Sequence, residues 1–194
     1  MARPREFDRD AALEKAMRVF WAKGFAATST DDLIQAMGIG RQSLYNAFGG
    51  KQDLYREALA AYQRGTISGH LRRLDSRASP IEGLYELLHG LTPQDDAERA
   101  LGCMGVGSVS EFGTGDPALV EQRGKAGTLL GTRIADRIRE GQGAGEIDPG
   151  LDPVQAAAFI QMTMTGLQLA ARGGAGAEDL AAMARFAVDR LRKG

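Results

Sequence analysis

Residues 28–51 read Thr28-Ser29-Thr30-Asp31-Asp32-Leu33-Ile34-Gln35-Ala36-Met37-Gly38-Ile39-Gly40-Arg41-Gln42-Ser43-Leu44-Tyr45-Asn46-Ala47-Phe48-Gly49-Gly50-Lys51. The spacing predicts two short amphipathic helices meeting at a glycine turn. The first starts at Thr30, read as its cap, with Asp31 and Asp32 at the positive end of the helix dipole. It carries Leu33, Ile34 and Met37 inward and breaks at Gly38, where a tight bend needs the positive φ that glycine adopts cheaply. The second runs from about Arg41 to Phe48 and ends at Gly49-Gly50. Leu44 and Phe48 lie four residues apart on its inner face. Arg41, Gln42, Ser43, Tyr45 and Asn46 are left on the outer faces and the N-terminal end. That pattern fits a helix-turn-helix, in which the first helix braces the second inside the major groove of DNA. Arginine pairs with guanine, glutamine and asparagine with adenine, and hydroxyls with phosphates. The competing reading is an ordinary solvated helix face. The backbone amide of Thr30 is a further candidate phosphate donor, because helix N-termini attract anions.

Working outward, the apolar period stays helical. Leu13, Ala16, Met17, Phe20 and Trp21 form one stripe of a helix that opens at Asp8 and stops at Gly24. A long helix is predicted from Gln52 to about Leu74, followed by a short amphipathic piece over 81–91. A weakly patterned helix covers 103–112, where Gly105 and Gly107 lower the propensity. Pro117 opens a helix to about Glu140, Pro153 one to about Arg172, and a last helix occupies about 177–192. Gly141, Gly143 and Gly145 read as a joint, as do Gly105 and Gly107. No strand alternation of useful length appears, so the fold class is all-α.

Residues 8–59 resemble the DNA-binding domain of the TetR family of transcriptional regulators. The resemblance is carried by Phe20-Trp21-Ala22-Lys23-Gly24-Phe25, by Thr28–Ile34, and by the run from Gly38 to Tyr55. It departs from the family after Tyr45, where an aromatic or histidine pair is replaced by Asn46 and Ala47. The resemblance implies a helix-turn-helix domain over 1–51 and an effector-binding and dimerisation domain over 52–194, joined by the long helix from Gln52. It implies a homodimer, formed through helices about 153–172 and 177–192, that binds a palindromic double-stranded operator. It further implies a small-molecule effector that releases the DNA, and so a repressor. Lys51 matches the family's lysine at the start of the fourth helix, which favours a phosphate contact. Arg3 and Arg5 are candidates for an arm in the minor groove. In the dimerisation helices Ala156, Ala157, Phe159, Ile160, Met164 and Leu167, then Leu180, Met183, Ala184, Phe186 and Leu191, are expected to interdigitate across the interface; packing within one subunit is the alternative. Met104, Phe112, Met162 and Met164 read as core residues, some of which can line a pocket, since methionines accommodate varied ligands; Cys103, Met104, Phe112 and Met162 are the candidate pocket residues, with a buried small hydrophobe as the competing reading of Cys103. Some TetR-like regulators that respond to electrophiles or oxidants have a Gly-Cys pair near Gly102-Cys103.

An enzyme finds little support. His70 and His89 stand alone without zinc-ligand spacing, and no Gly-x-Ser-x-Gly elbow or phosphate-binding loop occurs. The run from Gly141 to Gly145 follows a helix rather than a strand, so it is not a dinucleotide cradle. No metal or cofactor is called for. One cysteine excludes an intrachain disulfide. No apolar run approaches the roughly 20 residues needed to span a bilayer, and no apolar secretory core follows the start, so a cytoplasmic location is expected. A helix-turn-helix factor without an effector stays open as an alternative. With 24 Lys+Arg against 25 Asp+Glu, the net charge of −1 looks wrong for a nucleic-acid binder. It conceals a division: residues 1–75 hold 12 basic and 9 acidic side chains, residues 76–194 hold 12 and 16.

Overall fold

The computed structural model describes residues 7–193, and among them the chain forms ten α-helices with one isolated bridge between Ile147 and Arg192. The proposed arm at Arg3 and Arg5 lies outside the described residues. Helix α1 (Arg9–Lys23) starts where the Asp8 carboxylate accepts from the amides of Asp10 and Ala11, and it stops at Gly24, φ +80°. Helices α2 (Thr30–Met37) and α3 (Arg41–Phe48) follow, with Gly38 at φ +69° between them. The cap of α2 is Ser29, not Thr30. The Asp32 amide donates to the Ser29 hydroxyl at 3.0 Å, and the Ser29 amide donates to the Asp32 carboxylate at 2.8 Å. This reciprocal box places the acid three residues after its cap, a spacing already present in the sequence. Thr30 becomes the first helical residue and is half-buried.

Helix α4 (Lys51–Leu74) is 24 residues long and runs from the three N-terminal helices into the body. The body is built from α5 (Pro80–His89), α6 (Asp96–Leu101), α7 (Met104–Phe112), α8 (Pro117–Gly143), α9 (Pro153–Arg172) and α10 (Ala177–Asp189). The short α6, capped by Asp95, was not foreseen: six residues are too few for a 3.6-residue period to show. The glycine joint at 105–107 is absent, and the one at 141–145 is reduced to Gly145, which turns the chain after α8 at φ +74°. Gly105 and Gly107 lie within α7, and Gly141 and Gly143 within α8. Gly141 serves close packing instead, because a Cβ there would overlap Ile147.

Two hydrophobic cores result. The first joins α1–α3 to the N-terminal half of α4 through Phe20, Leu33, Leu44, Phe48, Leu54, Tyr55 and Leu59, and it also takes in Met104 and Leu119. The second fills the body with Leu74 and side chains of α5, α8, α9 and α10. Helix α4 therefore belongs to both cores at its two ends. Between residues 60 and 73 it buries no apolar side chain, and His70 is its one buried residue there.

Candidate nucleic-acid interface and effector cavity

On α3, Leu44 and Phe48 are buried against α1 and α4, which turns the opposite side outward. Arg41, Gln42, Tyr45 and Asn46 are exposed, and Ser43 is half-buried. Their polar groups already find weak partners. Arg41 pairs with Asp31 at 2.6 Å, and the Gln42 amide donates to Asn46 at 2.9 Å. Exposed pairs of this kind are worth about 0–1 kcal/mol, so a stronger acceptor can displace them. Helix α3 opens at Gly40 and α4 at Gly50, neither of which offers a capping side chain. Both helix starts thus present amides and positive dipole ends to solvent. Lys51, at the first position of α4, sets its ammonium 4.2 Å over the Phe25 ring. Asp32 is held far below the usual carboxylate range by Lys23 first, then by the Ser29 amide and hydroxyl. The negative charge at the start of α2 is in this way matched by a cation.

Three ties connect this reading domain to one segment of the body, residues 102–119. Trp21 Nε1 donates to the Gly102 carbonyl at 3.0 Å. The amides of Phe25 and Ala26 donate to the Glu111 carboxylate at 2.7 and 3.3 Å. Asp116, the buried cap of α8, accepts from Gln52 at 3.2 Å and from Arg56 at 2.9 Å. Burial alone pushes the Asp116 carboxyl up, but Arg56, the Leu119 amide and Gln52 outweigh it and hold the group below its usual range.

Cavities flank the middle of α4, whose apolar side chains Ala61, Tyr62 and Leu71 are only partly buried. One of about 180 Å³ is lined by Tyr62, Thr66, His70, Cys103, Met164 and Gln168, among others. A second, about 420 Å³, shares Tyr62, Thr66, His70 and Gln168 and extends past Trp21, Arg73 and Leu91. An open groove of about 840 Å³ runs between α4 and α8 and shares Gln63, Ile67 and Ala126 with the first of these cavities. Of the four pocket candidates, Cys103 lines the smallest cavity. Its sulfur, after burial itself, helps hold the Tyr62 phenol above its ordinary range. The other three fall elsewhere. Met104 is buried in the first core, and Phe112 packs there with its ring 5.0 Å from Phe25 and 5.2 Å from Tyr55. Met162 is 75% exposed on the outside of α9. Helical spacing cannot tell which of two opposed faces of α9 meets the body, and the inward methionine is Met164. The cavity residues that sequence reading missed, Tyr62, His70 and Arg73, lie on the stretch of α4 that carries Gly65 and Gly69. Ile67, Leu71 and Leu74 keep a helical apolar spacing there, so the pattern holds no sign of a cavity.

The dimerisation helices need a similar correction. Ala156, Ala157, Ile160, Met164, Leu167, Leu180, Ala184 and Leu191 are buried within the subunit. Val154, Phe159, Met162 and Leu169 of α9, with Met183 and Phe186 of α10, remain exposed. Among the described residues no three His, Cys, Asp or Glu side chains gather as a metal site, and no helix is long and apolar enough to cross a membrane.

Residues 12–58 match the family described as bacterial regulatory proteins, tetR family, and residues 82–187 match the tetracyclin repressor-like C-terminal domain. The chain is 28% identical over 183 residues to the HTH-type transcriptional repressor ComR of Escherichia coli (strain K12), covering 92% of this chain and 86% of ComR. To the repressor BdcR of the same organism it is 29% identical over 193 residues, covering 98% and 92%. A cysteine-substituted variant of the TetR family transcriptional regulator CifR, complexed with 26 bp double-strand operator DNA, has a similar structure. It superposes with a TM-score of 0.77 at 31% identity, covering 98% of this chain and 100% of that one. The two matched segments take in both the reading helices and the cavity-bearing body, and the chain belongs to the tetR family of DNA-binding transcriptional regulators.

Proposed function

We propose that this protein is an effector-responsive repressor that binds a palindromic operator as a homodimer. The observation that carries this reading is α4: one end is fixed in the DNA-reading core, the other in the body core, and the stretch between is lined by cavities. In a dimer the two α3 helices must sit about 34–36 Å apart to enter successive major grooves. A ligand that re-seats the middle of α4 changes that separation. It acts only through its different affinities for the DNA-competent and released forms, and moving the balance from 1:99 to 99:1 takes about 5.5 kcal/mol. The exposed apolar face of α9 and α10 is the proposed dimer surface. Thr30, Ser43 and Lys51, with the uncapped starts of α3 and α4, are assigned to phosphates; Arg41, Gln42, Tyr45 and Asn46 are assigned to the groove.

The test is selection of bound sequences from random duplex DNA by the purified protein. A two-fold symmetric site is expected, and recovery of no preferred sequence would overturn the reading. On that site Arg41→Ala or Gln42→Ala should cost about 1–3 kcal/mol and relax preference at one base pair per half-site. Uniform weakening on every sequence would reassign the side chain to the backbone.

A second reading attaches to Cys103, which faces Tyr62 in the smaller cavity wall at the start of α7. Helix α7 is tied to the reading domain through Gly102 and Glu111. A group added to the sulfur therefore pushes on a segment that holds the reading helices. Treatment with N-ethylmaleimide, whose alkene carbon takes up the thiolate, should release the operator from wild type and leave Cys103→Ser bound. Equal release of both proteins rejects the cysteine's role.

A further inference from the structure

The cavity of about 420 Å³ beside α4 has a chemical bias. One wall is aromatic and aliphatic: Trp21 and Tyr62 meet edge to face with ring centroids 5.1 Å apart, and Leu91 adds an apolar surface. Arg73 lines the same cavity. Its guanidinium has one side-chain partner among the described residues, the Nδ1 atom of His70 at 3.2 Å. A guanidinium can only donate, so Nδ1 accepts and the imidazole proton sits on Nε2. Burial, then the Arg73 charge, lowers the His70 pKa to about 4, which keeps the ring neutral near pH 7. No carboxylate stands within ion-pair distance of Arg73 among the described residues, although burial and the charge of Arg72 both disfavour its cationic form. The Arg73 side chain packs at the end of α5. It crosses the α5 terminus at Gly90, where any Cβ would overlap it, and Gly90 has an ordinary φ of −70° that does not itself call for glycine. Two other arginines line the same space. Arg99 is already engaged by Asp96 and by the carbonyls of Pro93, Gln94 and Ala175, while Arg72 is exposed. Glu98 is the one acid in the wall.

A partly buried cation without a counter-ion, facing a cavity of ligand size, is a site lacking its anion. We propose that this cavity takes a small molecule bearing a carboxylate, whose oxygens pair with Arg73 and whose apolar body lies against Trp21, Tyr62 and Leu91. A monoanion fits better than a phosphate, because Arg73 is the one half-buried guanidinium of this cavity with no carboxylate paired to it among the described residues, and its imidazole neighbour is neutral. The assignment rests on the effector-responsive reading above and names the class of effector. It also supplies a route to the DNA, because Trp21 belongs to α1 of the reading domain and Tyr62, His70 and Arg73 belong to α4.

Trp21 is the single tryptophan of the chain, so its fluorescence reports on the cavity. The experiment titrates the intact protein, without DNA, with straight-chain carboxylates from butyrate to decanoate, each beside its primary amide. For at least one pair the carboxylate is expected to saturate the signal at a concentration at least about tenfold below that of the amide, the scale of one charge-assisted pairing. Arg73→Met should remove that preference, and Arg73→Lys should restore part of it. Amides that bind as well as their acids, or a series in which no acid gives a saturable change, overturn the proposal from wild type alone. If DNA selection returns a symmetric site while acids and amides bind alike, the carboxylate assignment fails and the repressor reading stands. If acids bind selectively but no DNA sequence is retrieved, the reverse holds.

Discussion

A Met162→Asp variant is expected to run as a monomer and to bind a two-half-site operator about 10²–10⁴-fold more weakly than the parent protein. Met162 is 75% exposed, and it shares the outer surface of α9 and α10 with Val154, Phe159, Leu169, Met183 and Phe186. Burying a side chain of this size contributes about 1.5–3 kcal/mol, and each protomer offers six. An aspartate in this patch would have to be desolvated without a partner, which association does not tolerate. Loss of DNA binding then follows without any change in the reading helix, because a second half-site held on the same particle is what raises the affinity. Size-exclusion chromatography with light scattering reads the mass, and a gel shift reads the operator. A variant that stays dimeric would place the interface elsewhere on the body.

Phe20→Ala should destabilise the protein by about 3–5 kcal/mol, a large part of the 5–15 kcal/mol typical of a domain. Phe20 is 1% exposed, and its ring meets Tyr55 edge to face at 5.0 Å. Tyr55 and Phe25 in turn contact Phe112, so one aromatic cluster spans α1, α4 and α7. Removing Phe20 leaves a void at the junction of the reading domain and the segment that ties it to the body. Urea unfolding measures the loss, and a change below about 1 kcal/mol would mean that the cluster collapses to fill the gap. Gln42→Ala provides the contrast. It sits exposed on α3, and its stability should stay within about 0.5 kcal/mol of wild type while its DNA binding falls.

Much of the fold was legible before any coordinates. The helices opened by Asp8, Pro117 and Pro153, and those closed by Gly24, Gly38 and Gly49, appear where their caps and stops predict. The outward set on α3 follows from Leu44 and Phe48 alone, since two inward residues four apart fix the helix's rotation. The cap of α2 was misplaced by one residue, because Ser29 and Thr30 are both good caps and only the pairing with Asp32 separates them. The pocket was read less well. Met104, Phe112 and Met162 are apolar residues in helices, and nothing in a periodic pattern separates a core, a cavity wall and an open face.

By itself, the sequence determined that the chain is all-α, where its helices start and stop, and which side of α3 faces away from the core. These are local matters, decided by caps, glycines and spacings within a dozen residues. The tertiary structure alone decided what each inward face packs against. It assigned Met104 and Leu119 to the reading domain's core, turned Met162 outward and Met164 inward, and left the apolar side chains in the middle of α4 only partly buried. It also brought Arg73 and Trp21 to the same cavity from positions 52 residues apart, with no carboxylate within ion-pair distance of the arginine among the described residues. Which side chains share a cavity depends on how helices distant in sequence cross, and that depends on the packing of every side chain between them.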